Sequence, residues 1–258
     1  MSDRSVPKPS ALSRIIQTLY AGSAVEFRQD WEKWRLGTKT TAIFTPNPEQ
    51  VVQAQQNAAF QTVLLSADVL LADGVGLVWA AKKLRHDQEI QRFSGRQIVE
   101  WWLHEAQQRK ISTLLLGARK GIAEALAREF DPRREWCWAT EGYDKVAIPT
   151  LAEKKAIFSL IELVRPEVVF VAFGAPWQEM WVIENREELQ SMGVKIAMVC
   201  GGAMNTLSPA TKITKPPVYI EKLQLEWLFR LWQEPWRWRR QLKLVTFIQM
   251  VWKSIPLQ

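Results

Sequence analysis

The stretch VVFVAFGAPWQE, from Val168 to Glu179, joins an apolar run to a glycine turn and to the start of a helical pattern. Its first seven residues, Val168 to Gly174, contain no polar side chain, which is typical of a strand buried on both faces of a parallel sheet. Helical periodicity then extends from Pro176 to Met192. The stretch therefore predicts one strand–turn–helix unit of an α/β fold.

The same unit recurs along the chain. Five more apolar runs predict strands, at Thr40–Thr45, Asp68–Asp73, Ser112–Gly117, Trp136–Thr140 and Lys195–Cys200. Helical periodicity covers the segments Pro48–Val63, Gly95–Arg109, Lys120–Phe130 and Leu151–Val164. FRQDWEKWRLG, before the first strand, predicts an amphipathic helix. This alternation predicts a Rossmann-like, mostly parallel sheet with helices on both faces.

Composition limits the class of protein. The 258 residues, 47% of them hydrophobic, are enough to bury one sizeable core. No run of eighteen apolar residues occurs, and the N-terminus lacks the apolar stretch of a secretion signal, so we expect a cytoplasmic protein. Cys137 and Cys200 lie far apart in apolar runs. This placement favours reduced core thiols over a disulfide or a zinc site.

The C-terminal fifth of the chain carries nearly all of the net charge of +7. Residues 211–258 contain nine Lys or Arg against three Glu, together with five tryptophans. An amphipathic stripe follows at helical spacing, formed by Leu244, Ile248, Val251 and Ile255. Two interpretations remain open: a helix that packs on the body of the protein or on another subunit, and an arm that binds an anionic surface, either a membrane or nucleic acid.

The loops after the predicted strands are where an open α/β sheet binds its ligands. They combine glycines with single polar groups, in TPN (45–47), ADG (72–74), GARKG (117–121), GAPWQE (174–179) and GGAMN (201–205). Glycine admits a ligand close to the backbone, and the start of a helix favours an anion. We therefore expect a phosphate-bearing ligand at this edge of the sheet. GARKG by itself is weak evidence, because an ordinary βα turn has the same strand, glycine turn and helix and is the more common explanation.

The residue types and motifs that the sequence lacks disfavour several classes of reaction. Two histidines, His86 and His104, leave little scope for Ser/His/Asp or Cys/His nucleophilic catalysis. No Walker A, HExxH or CxxC sequence occurs, and no Asp-x-Asp pair offers a carboxylate clamp for a cation on a nucleotide diphosphate. The absence of G-x-G-x-x-G after the first strand and of Tyr-x-x-x-Lys disfavours a sugar-nucleotide epimerase or dehydrogenase. We expect a transfer reaction that uses neither a metal nor another cofactor.

Asp73 is the carboxylate of most interest. It ends a predicted strand and precedes Gly74 and Gly76, where the ligand crevice should open. A carboxylate in such a place can act as a general base when its pKa is suitably tuned. The alternative is a structural role as the N-cap of the helix that begins near Val75. Spacing alone leaves both roles open.

Eight segments, taken together, resemble the WecG/TagA/CpsF family of bacterial glycosyltransferases, and they follow the order of that family across residues 40–255. They are TPN from 45, ADGVGLVWAAK from 72, QRFSGRQIV from 91, LLLGARKGIAEALA from 114, EGY from 141, VAFGAPWQEMWVIEN from 171, GGAMNTLS from 201 and LEWLFRLWQEPWRWRR from 225. The similarity is closest to the TagA-like branch, of N-acetylmannosaminyltransferase type, whose members end in a basic amphipathic appendage.

The resemblance implies an inverting, metal-independent transfer of a sugar, often an N-acetylhexosamine such as ManNAc, from a UDP-sugar donor to a sugar carried by a polyprenyl diphosphate. Asp73 matches the base of the family. The other residues that the resemblance associates with catalysis are Thr45, Asn47, Arg92 and Gln178. Those expected to bind the donor are Gly117, Gly174, Glu179, Gly201, Gly202 and Asn205, and those expected to bind the acceptor or a diphosphate are Arg230, Arg237 and Arg240. The family usually has Asp and Arg where this chain has Asn205 and Lys215.

The sequence patterns and the resemblance together predict an organisation and a set of partners. We expect a flexible tail over residues 1–10, a Rossmann-like catalytic domain over 11–210 and a basic amphipathic appendage over 211–258 that associates with the membrane. The enzyme would be peripheral at the inner face of the cell membrane, with the donor, the lipid-linked acceptor and an anionic membrane surface as partners, and without nucleic acid. A homo-oligomer is left open. The competing interpretation is a non-catalytic Rossmann-like protein whose tail binds nucleic acid or a membrane.

Overall fold

The computed structural model describes residues 10–85, 90–217, 219–220, 223, 225–235 and 238–255. The strands in this part are β1 (Thr41–Phe44), β2 (Val69–Leu70), β3 (Thr113–Gly117), β4 (Cys137–Thr140), β5 (Val168–Ala172) and β6 (Ile196–Val199). They form one parallel sheet in the order β2-β1-β6-β5-β3-β4. Each strand lies within a predicted apolar run, so the predicted fold class is confirmed.

Helices precede and connect these strands. Within the described ranges they are α1 (Ala11–Thr18), α2 (Ala24–Leu36), α3 (Pro48–Gln56), α4 (Ala58–Leu65), α5 (Val75–Leu84), α6 (Gly95–Arg109), α7 (Ile122–Phe130), α8 (Leu151–Val164), α9 (Trp177–Glu184), α10 (Arg186–Ser191), α11 (Ala203–Leu207), α12 (Glu226–Gln233) and α13 (Trp238–Ser254). In this part of the chain, none of them has the length and apolar character needed to span a bilayer.

Alternate residues of each strand face opposite layers of helices. In β5, Val169 and Val171 join a core to which α1, α3, α4, α5 and α13 contribute. Phe170, between them, joins a second core with residues of α2, α6 and α7. Every residue of β5 is buried, which explains the uninterrupted apolar run in its sequence. The predicted covering of both sheet faces by helices is confirmed.

The central position of β5 determines where the loops meet. Val169 pairs with Leu114 of β3 on one side and with Ala197 of β6 on the other, and β6 in turn pairs with β1. The carboxyl ends of β1, β5 and β6 therefore lie side by side at one edge. Cys137 and Cys200 are buried free thiols, as predicted for core residues.

Two predicted helices are each interrupted at an asparagine. The segment Pro48–Val63 forms α3 and α4, because Asn57 ends the first helix and caps the second, accepting a hydrogen bond from the Phe60 N–H (3.0 Å). The segment Pro176–Met192 forms α9 and α10, which are separated at Asn185. Asparagine bonds readily to nearby backbone groups and so favours caps over helix interiors. The apolar periodicity of the sequence continues across both breaks, so it predicted a single helix for each segment.

The C-terminal helix α13 packs on α3 and α5. Phe247 and Val251 are completely buried in the core. Gly76 of α5 makes room for this contact, because a Cβ atom there would come within 2.9 Å of Pro48 Cγ and 3.8 Å of Phe247. The opposite side of the helix leaves apolar side chains more than half exposed, namely Leu242, Val245 and Trp252. The predicted amphipathic stripe therefore packs in part on the body, and further apolar surface faces solvent.

Candidate active site

One open cleft collects the loops that follow β1, β2, β3, β5 and β6. Its volume of about 1270 Å³ exceeds the roughly 300–1,000 Å³ of an ordinary small-molecule site, so it has room for two substrates. The predicted site residues that line it are Thr45, Asn47, Asp73, Arg92, Gly174, Gln178, Gly201, Gly202, Asn205 and Arg230. These residues, predicted from separate loops, therefore converge at the carboxyl edge of the sheet.

Asp73 lies on the loop between β2 and α5. Its N–H donates to the Pro46 carbonyl oxygen (2.9 Å), which joins this loop to the one after β1. Gly74 then turns the chain with a φ of 88° and is itself the N-cap residue of α5, with no side-chain capping bond. The alternative role of Asp73 as the N-cap is therefore wrong, and its carboxylate is left to face the cleft.

The surroundings of Asp73 favour its protonated form. Burial raises the pKa of the Asp73 carboxyl from 3.8 to about 6, because a desolvated carboxylate loses the stabilisation that water gives to its charge. The positive charges of Arg92, Arg230 and Arg96 lower this pKa, and the negative charge of Glu226 raises it. A pKa close to neutral is suited to a group that takes up a proton during each reaction cycle.

Arg92 reaches the cleft from the segment before α6. The Phe93 N–H donates to the Ala72 carbonyl oxygen (2.9 Å), so the backbone beside Arg92 is bonded to the residue before Asp73. The Arg92 guanidinium forms an ion pair with Glu226 of α12, and Arg96 of α6 lies 3.6 Å from the same carboxylate. A residue of the C-terminal segment therefore contacts the arginines of the site.

Arg230 enters the cleft from α12. Its guanidinium lies against Gly202, where a Cβ atom would come within 2.5 Å of Arg230 Nη2. Its Nε donates to the buried Glu234 carboxylate (3.3 Å). The glycine in the loop after β6 thus allows an arginine from a segment distant in sequence to approach the backbone. Arg230 lines the cleft, and its binding of a diphosphate stays a prediction.

Thr45 and Asn47 shape the loop after β1. Thr45 is buried, and its hydroxyl donates to the Val199 carbonyl oxygen (3.4 Å), which joins the ends of β1 and β6. The Asn47 side chain accepts from the Gln50 N–H (3.0 Å), and the Gln50 side chain accepts from the Asn47 N–H (3.0 Å). This capping box fixes the start of α3 at the cleft.

Glu179 lies behind the cleft wall. It is completely buried and is not among the lining residues. Its Oε1 accepts hydrogen bonds from Gln50 Nε2 (2.8 Å) and Gln178 Nε2 (2.9 Å), while its Oε2 has no partner. Burial raises the pKa of the Glu179 carboxyl to about 7. Glu179, predicted to bind the donor, thus does not line the cleft itself; it joins the loops after β1 and β5.

Gly117 likewise stands behind the surface of the cleft. It adopts a φ of 96°, and a Cβ atom there would come within 2.8 Å of Phe173 and 3.0 Å of the Ala172 backbone. The lining residues at this point are the next two, Ala118 and Arg119. The ordinary βα turn, which the sequence left open for GARKG, accounts for this glycine.

The two departures from the family pattern have different surroundings. Asn205 lines the cleft, and its Oδ1 is buried without a hydrogen-bond partner, although buried polar atoms in proteins are usually bonded. Lys215 forms an ion pair with Glu100 of α6 and is not a lining residue. Arg237 and His86 lie outside the described residues, as does the side chain of Arg240. His104 contacts Phe130 on α7 and is not in the cleft.

Several site residues were not singled out from the sequence. Arg96 and Glu226 stand beside Asp73, and Gln50 and Glu234 orient other site residues. Arg96 and Glu226 fall inside the segments QRFSGRQIV and LEWLFRLWQEPWRWRR, so the motifs contained the signal. Within the described ranges, no group of three or more His, Cys, Asp or Glu side chains is arranged to hold a metal ion.

Comparisons with known proteins identify the family of this chain. The family described as "Glycosyl transferase WecG/TagA/CpsF family" matches residues 14–257. A protein of Bacillus spizizenii named N-acetylglucosaminyldiphosphoundecaprenol N-acetyl-beta-D-mannosaminyltransferase is 31% identical over 219 residues, 83% of this chain and 80% of the relative. A protein of the same name from Bacillus subtilis is 31% identical over 228 residues, 86% and 84% of the two chains. The resemblance predicted from the motifs is confirmed, and the chain belongs to the WecG/TagA/CpsF family of glycosyltransferases.

Proposed function

We propose that this glycosyltransferase is a hexosyltransferase that moves an N-acetylhexosamine, such as N-acetylmannosamine, from a UDP-sugar to a sugar carried by a polyprenyl diphosphate. Both Bacillus relatives are named for a transfer to N-acetylglucosaminyldiphosphoundecaprenol. The observation that carries the proposal is the partly buried Asp73 carboxylate in the field of Arg92, Arg96 and Arg230. This group lies in a cleft with room for a donor and an acceptor.

Asp73 is the general base of the proposed reaction. Its carboxylate takes the proton of the acceptor hydroxyl as the hydroxyl oxygen attacks the anomeric carbon of the donor. The bond from that carbon to the diphosphate oxygen breaks, and its electron pair leaves with UDP. Attack from the side opposite the leaving group inverts the anomeric configuration.

The arginines supply positive charge to the departing diphosphate. Guanidinium groups match phosphate oxygens in geometry and stabilise the negative charge that develops as UDP leaves. Arg230 lies at the glycine loop after β6, and Arg92 and Arg96 lie on the α6 side of Asp73. We expect these groups to replace a divalent cation, so that EDTA leaves the rate unchanged. A loss of activity that Mg²⁺ restores would contradict this point.

The exposed side of α13 supports a peripheral location at the inner face of the cell membrane. Leu242, Val245 and Trp252 are apolar and more than half exposed, and Lys253 is exposed beside them. Such a face binds the interfacial region of a bilayer, and each cation near an anionic surface adds about 1 kcal/mol. We expect co-sedimentation with vesicles that contain anionic lipid. A thermal shift with UDP and none with single-stranded RNA would separate this function from nucleic-acid binding.

The central test measures UDP release from a panel of UDP-sugars with a short-chain polyprenyl diphosphate sugar as acceptor. Asp73→Asn should lower kcat by roughly 10²–10⁴-fold, the usual contribution of a general base, while the donor still binds. Asp144→Asn, the same change in an exposed loop, is the matched control and should behave as wild type. An Asp73→Asn variant with the wild-type rate would overturn the mechanism.

A further inference from the structure

The cleft does not end at Asp73 and the arginines. The same continuous cavity extends between α5 and α13, where its walls become apolar. We call this extension the side groove and define it by its lining residues Val75, Val78, Trp79, Leu244 and Ile248. The polar end of the cavity suits a diphosphate sugar, and the side groove suits a hydrocarbon chain attached to it.

The wall formed by α5 leads directly away from the proposed base. Val75, Val78, Trp79 and Lys82 follow one another at helical spacing on the same side of α5, and all of them line the cavity. Val75 is two residues from Asp73, whereas Lys82 is in the last turn of the helix. At about 1.5 Å per residue, this wall covers roughly 10 Å from the base outwards.

The wall formed by α13 runs beside it in the same direction. A Cβ atom on Gly76, near the start of α5, would lie 3.7 Å from Leu244. One turn after Gly76 on α5, Trp79 makes an edge-to-face contact with Trp252 of α13, with ring centroids 6.5 Å apart. Ile248 lies on α13 between these two contacts and keeps 38% of its surface exposed. The groove is thus accessible to an apolar ligand at Ile248, which also lines the cavity.

The far end of the side groove has the character of a membrane-facing rim. Lys82 and Lys83 are in the last turn of α5, and Lys253 is in the last turn of α13. Trp252, beside Lys253, is 61% exposed. Tryptophan and lysine together are typical of surfaces that lie at the level of lipid headgroups. A chain that leaves the groove here would enter the bilayer.

We propose that the side groove binds the first isoprene units of the acceptor's polyprenyl chain and leads them from the diphosphate to the membrane. This inference rests on the proposed function. It assigns α13 a second role, because the helix then forms part of the acceptor site as well as the membrane contact. Charge agrees with this orientation: arginines face the diphosphate at one end, and lysines face anionic headgroups at the other.

The test compares acceptors that carry the same diphosphate sugar and differ only in the number of isoprene units. UDP release is measured in detergent solution, so that docking to a bilayer does not contribute. For the wild type, kcat/KM should rise about tenfold or more from the shortest chain to a chain that fills the groove, because each buried methylene favours binding. The gain should level off once the chain extends past Trp252.

The variants place a charge on each wall. Ile248→Asp and Val78→Asp should abolish the gain with chain length, and cooperative thermal unfolding of each variant reports that it is folded. Thr246→Asp is the matched control. It adds the same charge to α13 about 200° around the helix from Ile248, at an exposed residue that does not line the cavity, and should keep the gain.

Three outcomes would overturn the side groove. The first is a wild-type kcat/KM that is independent of chain length, and the second is an equal loss of the gain in Thr246→Asp and Ile248→Asp. The third is a gain that persists in both groove variants. Absence of UDP release with every acceptor would instead overturn the proposed function, and the side groove with it.

Discussion

Burial of the Asp73 carboxyl affects both its proposed role as general base and the stability of the folded protein. Its pKa rises from 3.8 to about 6 on folding, so the folded state binds the proton more tightly than the unfolded state. The contribution of this group to folding is therefore fully present below about pH 4 and is lost as the pH rises through 6. At neutral pH the residue costs stability, as is common for groups that perform chemistry.

Asp73→Asn should consequently unfold at a higher temperature than the wild type at pH 8, because it removes a charge from a desolvated position. The difference should shrink towards pH 4, where the wild-type carboxyl is protonated in the folded protein. Thermal unfolding at the two pH values tests this, with Asp144→Asn as the control. Equal melting temperatures at pH 8 would show that burial does not destabilise the Asp73 charge.

Glu179 offers a second prediction at a single residue. Its Oε1 joins Gln50 to Gln178, and these two side chains are bonded to the Asn47 and Gly174 N–H groups (3.0 and 3.2 Å). Glu179→Gln keeps an oxygen that can accept both bonds, so kcat should stay close to wild type. Glu179→Leu has no acceptor, and the loosened loops should lower kcat roughly 10-fold or more.

Measurement of kcat and of the KM for the donor, together with thermal unfolding, distinguishes this positioning role from a general structural one. The predicted pattern is a lower kcat in Glu179→Leu with a folded protein and recovery in Glu179→Gln. Complete inactivity of Glu179→Gln in a folded protein would mean that the carboxylate takes part in the chemistry, and the positioning role would be wrong.

Among the elements, α13 packs on the body through one face of its described side chains. Phe247 is completely buried against α3 and α5, whereas Val245, two residues earlier, is 55% exposed. Phe247→Ala should therefore lower the free energy of unfolding by about 3–5 kcal/mol, the usual cost of removing a buried phenyl ring. Val245→Ala should change it by no more than about 0.5 kcal/mol. Denaturant unfolding of both variants measures the difference, and similar costs would contradict the packing of this face.

The elements also show which structural features can be predicted from local sequence patterns. All six strands and the bounds of α6 and α8 follow from local apolar runs and periodicity, because burial on both faces leaves a direct trace in β5 and its neighbours. The breaks at Asn57 and Asn185 leave no such trace, since apolar residues continue on both sides of them. The division of α13 into a packed and an exposed face depends on Gly76, which lies far away in sequence.

At the scale of the whole molecule, the site combines the strand loops of the α/β body with residues of the C-terminal segment. Thr45, Asp73 and Gln178 could be predicted because each follows a strand, and parallel strands place their carboxyl ends together. The contacts of Glu226 with Arg92 and of Arg230 with Gly202 could not be predicted from the sequence. They depend on how the C-terminal segment folds back onto the site. The family resemblance singled out Arg230, whereas Glu226, in the same segment LEWLFRLWQEPWRWRR, was not singled out.

Deletion of residues 225–258 tests this dependence directly. All six strands end before residue 200, so the sheet should still form and unfold cooperatively, at lower stability because the surfaces of α3 and α5 under α13 become exposed. The truncated chain lacks Arg230, Glu226 and one wall of the side groove, so transfer to a lipid-linked acceptor should be lost. A chain that ends at Ile255 keeps α13 and serves as the control. Thr45, Asn47, Gln178 and the glycine loops remain in the truncated chain, so a UDP-induced thermal shift should persist. Full transfer activity without the C-terminal segment would contradict the prediction, because it would show that the site is complete within the α/β body.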